Sequence, residues 1–123
     1  MSIHGPDAAT HDAIVGVPGA FDETIAGLRN LVALRTPGLD LGVNVTVCRR
    51  NVDCLDSLVD LVRREGVAKV NLQLVTPFGA ARRDVVPPMD QAAAAVTRVL
   101  DRFGAGMRLH VVNAQFCLFP GHE

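Results

Sequence analysis

The sequence predicts an α/β chain built on a parallel sheet, and three observations lead there. Stretches rich in β-branched residues alternate with amphipathic helical stretches three times over before a last strand. Proline and glycine punctuate the changes, at Gly5-Pro6, Pro37-Gly38, Gly66, Pro87-Pro88 and Gly104. Each strand alternates apolar and polar residues, where a strand buried on both faces would run apolar throughout. Strands joined by helices of this length form right-handed βαβ units.

Ser2-Ile3-His4 reads as a scrap of strand that breaks at Gly5-Pro6. A polar loop then carries His11 and Asp12 to a second break at Pro18-Gly19. A strand end that releases histidines and an aspartate into a loop is where α/β proteins place chemistry. Asp22 is placed to cap a helix to about Leu34, with Ile25, Leu28 and Val32 at helical spacing. The second strand is Leu41 to Cys48. Arg49-Arg50-Asn51 turns into a helix expected to be capped by Asp53, with Asp56 in a capping-box position and Gly66 as its stop. Lys69 to Val75 is the third strand, and a loop from Thr76 reaches Pro87-Pro88. The third helix runs from about Met89 to Phe103, and Met107 to Val112 is the fourth strand.

Composition narrows the class. At 123 residues the chain is at most one domain, and 49% hydrophobic content suffices for a core. Twelve basic and 13 acidic residues leave a formal charge of −1, so no global field favours nucleic acid. Five Phe with neither Trp nor Tyr make base-stacking platforms a poor expectation. Cys48, Cys54 and Cys117 are odd in number and widely spaced, so the expected setting is a reducing cytoplasm. No run approaches the ~18 apolar residues of a membrane span.

The strand alternation carries most of the functional signal. Val43, Val45, Val47, Val70, Leu72, Leu74, Leu109 and Val111 would face the helices. Ser2, His4, Asn44, Thr46, Asn71, Gln73, Arg108 and His110 then share the other face. Burying such groups unpaired would cost about 1–3 kcal/mol each, so they face water, a ligand or one another. Two architectures satisfy this: a sheet curled into a full or partial barrel with a polar interior, or an open two-layer sheet with one solvated face. A closed (β/α) barrel needs about eight strands and ~250 residues.

Familiar catalytic signatures are absent: there is no GxGxxG, Walker loop, HExxH, GxSxG or CxxC. His4 and His11 sit at two ends of a loop, as ordinary loop histidines or as ligands or acid–base groups. Cys48 and Cys54 lack metal-ligand spacing. Arg49-Arg50-Asn51, beyond a strand's carboxyl end, is placed either to bind a carboxylate or to be a solvated turn.

Several motifs in this order resemble a known family. Ser-Ile-His-Gly, His-Asp, Gly-Val-Pro-Gly-Ala-Phe and a helix ending Leu-Arg-Asn-Leu are similar to the middle of the radical S-adenosylmethionine (SAM) barrel. So are the strand with Cys-Arg-Arg-Asn and the stretch Asn71-Leu-Gln-Leu-Val-Thr-Pro-Phe-Gly-Ala. The resemblance implies a fragment of a TIM-type (β/α) partial barrel of about four parallel strands and three helices, over residues 1–112. Residues 113–123 would begin a C-terminal extension. In the family, SAM chelates a four-iron four-sulfur cluster and yields a 5′-deoxyadenosyl radical that abstracts a substrate hydrogen.

By that resemblance Ser2, His4, Arg49, Asn51, Gln73, Val75 and Thr76 would lie toward the cofactor. Asn44, Thr46, Asn71 and His110 would line the lumen on the substrate side, and Cys117 is a weak candidate for an auxiliary cluster. The family's CxxxCxxC loop is absent from these residues, so neither SAM nor cluster is expected to bind stably to this chain alone. The expected partners are an N-terminal half of the barrel and a small-molecule or peptide substrate, with no nucleic acid and no membrane. Two other readings stand beside it: a non-catalytic truncated barrel serving as a binding or scaffold module, and half of a metal-dependent TIM-barrel enzyme.

Overall fold

A computed structural model of the chain describes residues 1–77, 83–114, 118, 119 and 121. The described elements run α1 (Ala8–Val15), α2 (Ala20–Ala33), β1 (Val43–Val47), α3 (Leu55–Arg64), β2 (Lys69–Leu74), α4 (Met89–Phe103) and β3 (Arg108–Val112). Short 3-10 turns at Val52–Cys54 and Arg83–Val85 precede α3 and α4. The sheet has three parallel strands in the order β1-β2-β3. Among the described residues, no helix is long and apolar enough to cross a membrane.

The strand alternation translates directly into two faces. Val43, Val45, Val47, Val70 and Leu72 are fully buried against the helices. Leu55, Leu58, Val59 and Val62 of α3 join them, as do Ala92, Ala95, Val96 and Val99 of α4 and Leu28 of α2. The opposite face leaves Asn44, Gln73, Arg108 and His110 exposed. The described residues therefore form a two-layer α/β unit with one polar sheet face open.

The strand expected at Ser2-Ile3-His4 is a single parallel bridge from Ser2 to Asn44. Ile3 N–H donates to the Asn44 carbonyl at 3.0 Å, and Asn44 N–H to the Met1 carbonyl at 2.8 Å. The expected polar loop after it contains a helix instead. Asp7 caps α1 by accepting the Thr10 N–H at 2.8 Å. This helix escapes a periodicity reading because the one residue it buries is polar, His11.

Helix α1 also corrects the cap of α2, which starts at Ala20 rather than behind Asp22. The carboxylate of Asp12 accepts the Gly19 N–H at 2.7 Å and the Phe21 N–H at 2.8 Å, so the cap comes from the preceding helix. Asp22 and Glu23 lie in the first turn, where their charge suits the helix dipole. Asp53 is likewise no cap: it sits in the 3-10 turn and accepts from Gln91 Nε2 at 2.8 Å, fastening α4 to α3. At the other end of α3, Gly66 (φ 87°) donates to Arg63 and Val67 N–H to the Val62 carbonyl, a Schellman stop that needs the left-handed region.

Gly5 is the point where the first segment and α1 meet. A Cβ there would lie 2.5 Å from the His11 nitrogen and 2.6 Å from the Thr10 Cβ. Gly5→Ala should therefore push α1 off the sheet and lower stability by about 1–3 kcal/mol. Urea unfolding checks this, and an unchanged midpoint would contradict the packing described.

Candidate functional site

The carboxyl ends of the strands are organised from below by Asn51. The turn after β1 buries this side chain completely. Its Oδ1 accepts the Cys48 N–H at 2.8 Å, and its Nδ2 donates to the carbonyls of His4 and Thr46, both at 2.8 Å. The remaining link uses a histidine: Thr46 N–H donates to His4 Nδ1 at 3.1 Å. Past the Ser2 bridge, side chains thus take over the backbone groups that a longer first strand would pair.

His11 extends this cluster. The His4 N–H donates to His11 Nδ1 at 3.0 Å, and the two rings stack at 5.8 Å with 12° between planes. Phe21 meets His11 edge-on at 5.9 Å. Because both Nδ1 atoms accept, both imidazoles carry their proton on Nε2, leaving neither nitrogen with a free lone pair for a metal. Burial lowers the His4 pKa, and the neighbouring His11 lowers it further. Burial also lowers that of His11, with Asp12 acting in the opposite direction.

Above this support the polar face forms two cross-strand rows. Ser2, Asn44, Asn71 and His110 are register partners in the first, where Asn71 Nδ2 donates to Asn44 Oδ1 at 2.7 Å. Thr46, Gln73 and Val112 align in the second. A depression of about 560 Å³ at the carboxyl ends is lined by Thr46, Gln73, Val75, Thr76 and Asn113. A second, of about 390 Å³, adjoins it through Gln73 and includes Asn44, Asn71 and His110.

The structure therefore gathers Asn44, Thr46, Asn71, Gln73, Val75, Thr76 and His110 on one surface. Ser2 is exposed beside Asn44, and His4 is half-buried at the edge of the same face. Asn51 lies beneath as a strut. Arg49 points elsewhere: its Nε donates to the Asp84 carbonyl and its terminal nitrogen to the Val86 carbonyl, each at 3.0 Å. Its backbone N–H donates to the Val85 carbonyl at 2.8 Å, so the residue clamps the turn before α4. Cys117 and His122 lie outside the described residues.

Sequence reasoning missed Asn113, which lines the larger depression with a left-handed φ of 60°. The available signal was an Asn just past a strand end, since Asn tolerates this region better than most residues. His11 lies in α1 rather than in a loop. Its role as an acceptor beneath His4 has no sequence signature.

An iron–sulfur cluster does not fit the described residues. Cys48 is buried, and Cys54 donates to the Asn51 carbonyl at 3.4 Å with its thiol pushed up chiefly by burial. Among the described residues no three His, Cys, Asp or Glu side chains converge on a metal position. The hydroxyl and carboxamide groups of Thr46, Gln73, Thr76 and Asn113 do suit the hydroxyls and amine of SAM as neutral hydrogen-bonding partners.

A parallel sheet with depressions at its carboxyl ends is the arrangement in which open α/β folds place their ligands. The chain is 40% identical over 81 residues to an AdoMet-dependent heme synthase of Nitratidesulfovibrio vulgaris, covering 66% of this chain and 21% of that protein. It is 33% identical over 91 residues to the AdoMet-dependent heme synthase of Methanosarcina barkeri, covering 73% of this chain and 25% of that protein. A pre-heme d1 synthase of Dinoroseobacter shibae is 31% identical over 84 residues, covering 68% of this chain and 20% of that protein. The chain thus spans about a fifth to a quarter of these curated relatives. No protein-family model matches it, and no solved structure matches it significantly. These similarities relate the chain to AdoMet-dependent heme synthases and support its relationship to radical SAM enzymes.

Two outcomes follow from the support. A histidine pKa lowered on folding favours the neutral form, so its contribution is present above pH ~6.5 and lost as pH falls toward the folded value. Stability should decline between pH 7 and pH 5, with a slope of at most about 1.4 kcal/mol per unit for each ring. His4→Asn, which keeps an acceptor near Nδ1, should flatten the decline in chemical denaturation; an unchanged slope would refute the assignment. Asn51→Ala strands three backbone groups and should cost more than about 3 kcal/mol by the same measurement.

Proposed function

We propose that this chain forms part of a (β/α) partial barrel in a radical SAM enzyme that acts on a tetrapyrrole. In this reading residues 1–112 belong to the barrel, and the polar sheet face looks into its lumen. The observation that carries the reading is that face itself: two cross-strand rows, polar but for Val112, with the helices packed on the opposite side. The similarity to heme and pre-heme d1 synthases supports the tetrapyrrole class.

Within the proposal, Gln73, Val75 and Thr76 contact SAM, with Thr46 and Asn113 completing that end. Asn44, Asn71 and His110 face the substrate. His4 offers its Nε2–H at the edge, and Asn51 holds Thr46 and His4 in place without itself reaching the surface. Arg49 acts by fixing the turn before α4. Among the described residues no set of cluster ligands converges, so the contribution assigned to them is binding and orientation.

Replacing the matching 81 residues of the Nitratidesulfovibrio vulgaris protein with those of this chain tests the reading. The chimera should retain SAM-dependent heme formation. Gln73→Ala within it should lower turnover by about tenfold or more, the loss of roughly one charge-assisted or bifurcated contact. A chimera that folds, holds its cluster and produces no heme would overturn the proposal.

A further inference from the structure

At the amino ends of the strands, the polar face carries a corner of different character. Lys69 and Arg108 are register partners at the starts of β2 and β3. Asp40, on the exposed connection leading to β1, accepts from Lys69 Nζ at 2.8 Å and from the Arg108 guanidinium. Together these cations hold the Asp40 carboxyl below its usual range. Two positive groups against one negative leave the corner at net +1 (2 − 1 = 1).

One row further along, the Asn71-to-Asn44 bond leaves the Asn44 NH2 group as a donor beside the corner. The depression of about 390 Å³ continuing from Lys69 is lined by Asn44, Asn71, Gln73, His110 and Val112, and among its described residues no carboxylate appears. Two cations and a donor group that share one exposed carboxylate favour an acidic ligand. From the Lys69 position to that of Gln73 the strand rises about 13 Å, so a planar ligand can lie along the face with one edge at the corner.

We propose that Lys69 and Arg108, with His110 one row on, form a subsite for a carboxylate of the substrate, and that Asp40 holds this subsite until the substrate carboxylate displaces it. The inference rests on the tetrapyrrole reading above and adds its orientation: acidic side chains at the amino ends, the opposite edge toward Thr46 and Thr76. Asp40 is already a carboxylate seated between the two cations, which shows that their spacing accepts one. It is joined to them from an exposed connection, where an ion pair is weak and readily exchanged.

Fluorescence titration of the full chain with metal-free protoporphyrin IX and with its dimethyl ester tests the subsite without axial ligation by histidine. The diacid should bind about tenfold more tightly than the ester. Asp40→Asn should raise diacid affinity about threefold to tenfold and leave the ester unchanged. The double substitution Lys69→Met with Arg108→Met should abolish the preference. These positions are exposed or half-exposed, so circular dichroism should remain that of the wild type. Equal binding of diacid and ester, binding of neither, or no gain from Asp40→Asn overturns the subsite. An active chimera without the acid preference removes only the subsite; an inactive chimera alongside the acid preference removes the functional reading.

Discussion

The carboxamide of Asn51 accepts the Cys48 N–H and donates to the His4 and Thr46 carbonyls, joining the end of β1, the turn after it and the segment that leaves the sheet. A buried backbone carbonyl without a partner is costly, and each of these groups lies where the ladder has ended. A side chain with two donors and one strong acceptor answers three of them from a single position. An aliphatic residue of the same size would answer none. The polar surface above this point inherits its shape from that one residue, since Thr46 lines the larger depression and is held through its own carbonyl.

The histidines supply the other half of the arrangement. His4 Nδ1 takes the Thr46 N–H, and His11 Nδ1 takes the His4 N–H, so a relay of acceptors runs from β1 through the first segment into α1. Each ring is useful there because it is neutral. A protonated ring would replace an acceptor with a donor, and protonating both would set two like charges 5.8 Å apart. Gly5 lets the chain turn closely enough for this stack to form, and Asp12 then passes the connection on to the start of α2.

Much of the fold was legible because it follows from periodicity. The valines of β1, the Leu55–Val62 stripe and the apolar face of α4 fall where an alternating or a 3.6-residue pattern places them. The polar face was legible by subtraction, as the residues left over once the helices had been given partners. What could not be read depends on contacts between distant residues. Helix α1 buries a histidine in place of a leucine, so no apolar stripe announces it. The cap of α2 comes from ten residues before Asp22, and Asp53 binds Gln91 in another helix. Asn51 resembled a turn residue with a side chain free to bind a ligand; in the structure every polar atom of that side chain already serves the backbone.

The two ends of the polar face differ in how their hydrogen-bonding capacity is used. At the amino ends, the charged groups are paired from the surface by Asp40, through contacts that water screens and a competing anion can exchange. At the carboxyl ends, the pairing is made from beneath by Asn51 and His4, through part-buried bonds that water screens less. Under the proposed function, the first arrangement would leave positions that respond to a ligand, and the second would fix positions against which it is aligned. Recognition needs both, because a surface that adapts everywhere orients nothing. The division follows from the single Ser2 bridge: the chain leaves the sheet after one rung, and the groups it no longer pairs are those that Asn51 and the histidines hold rigid.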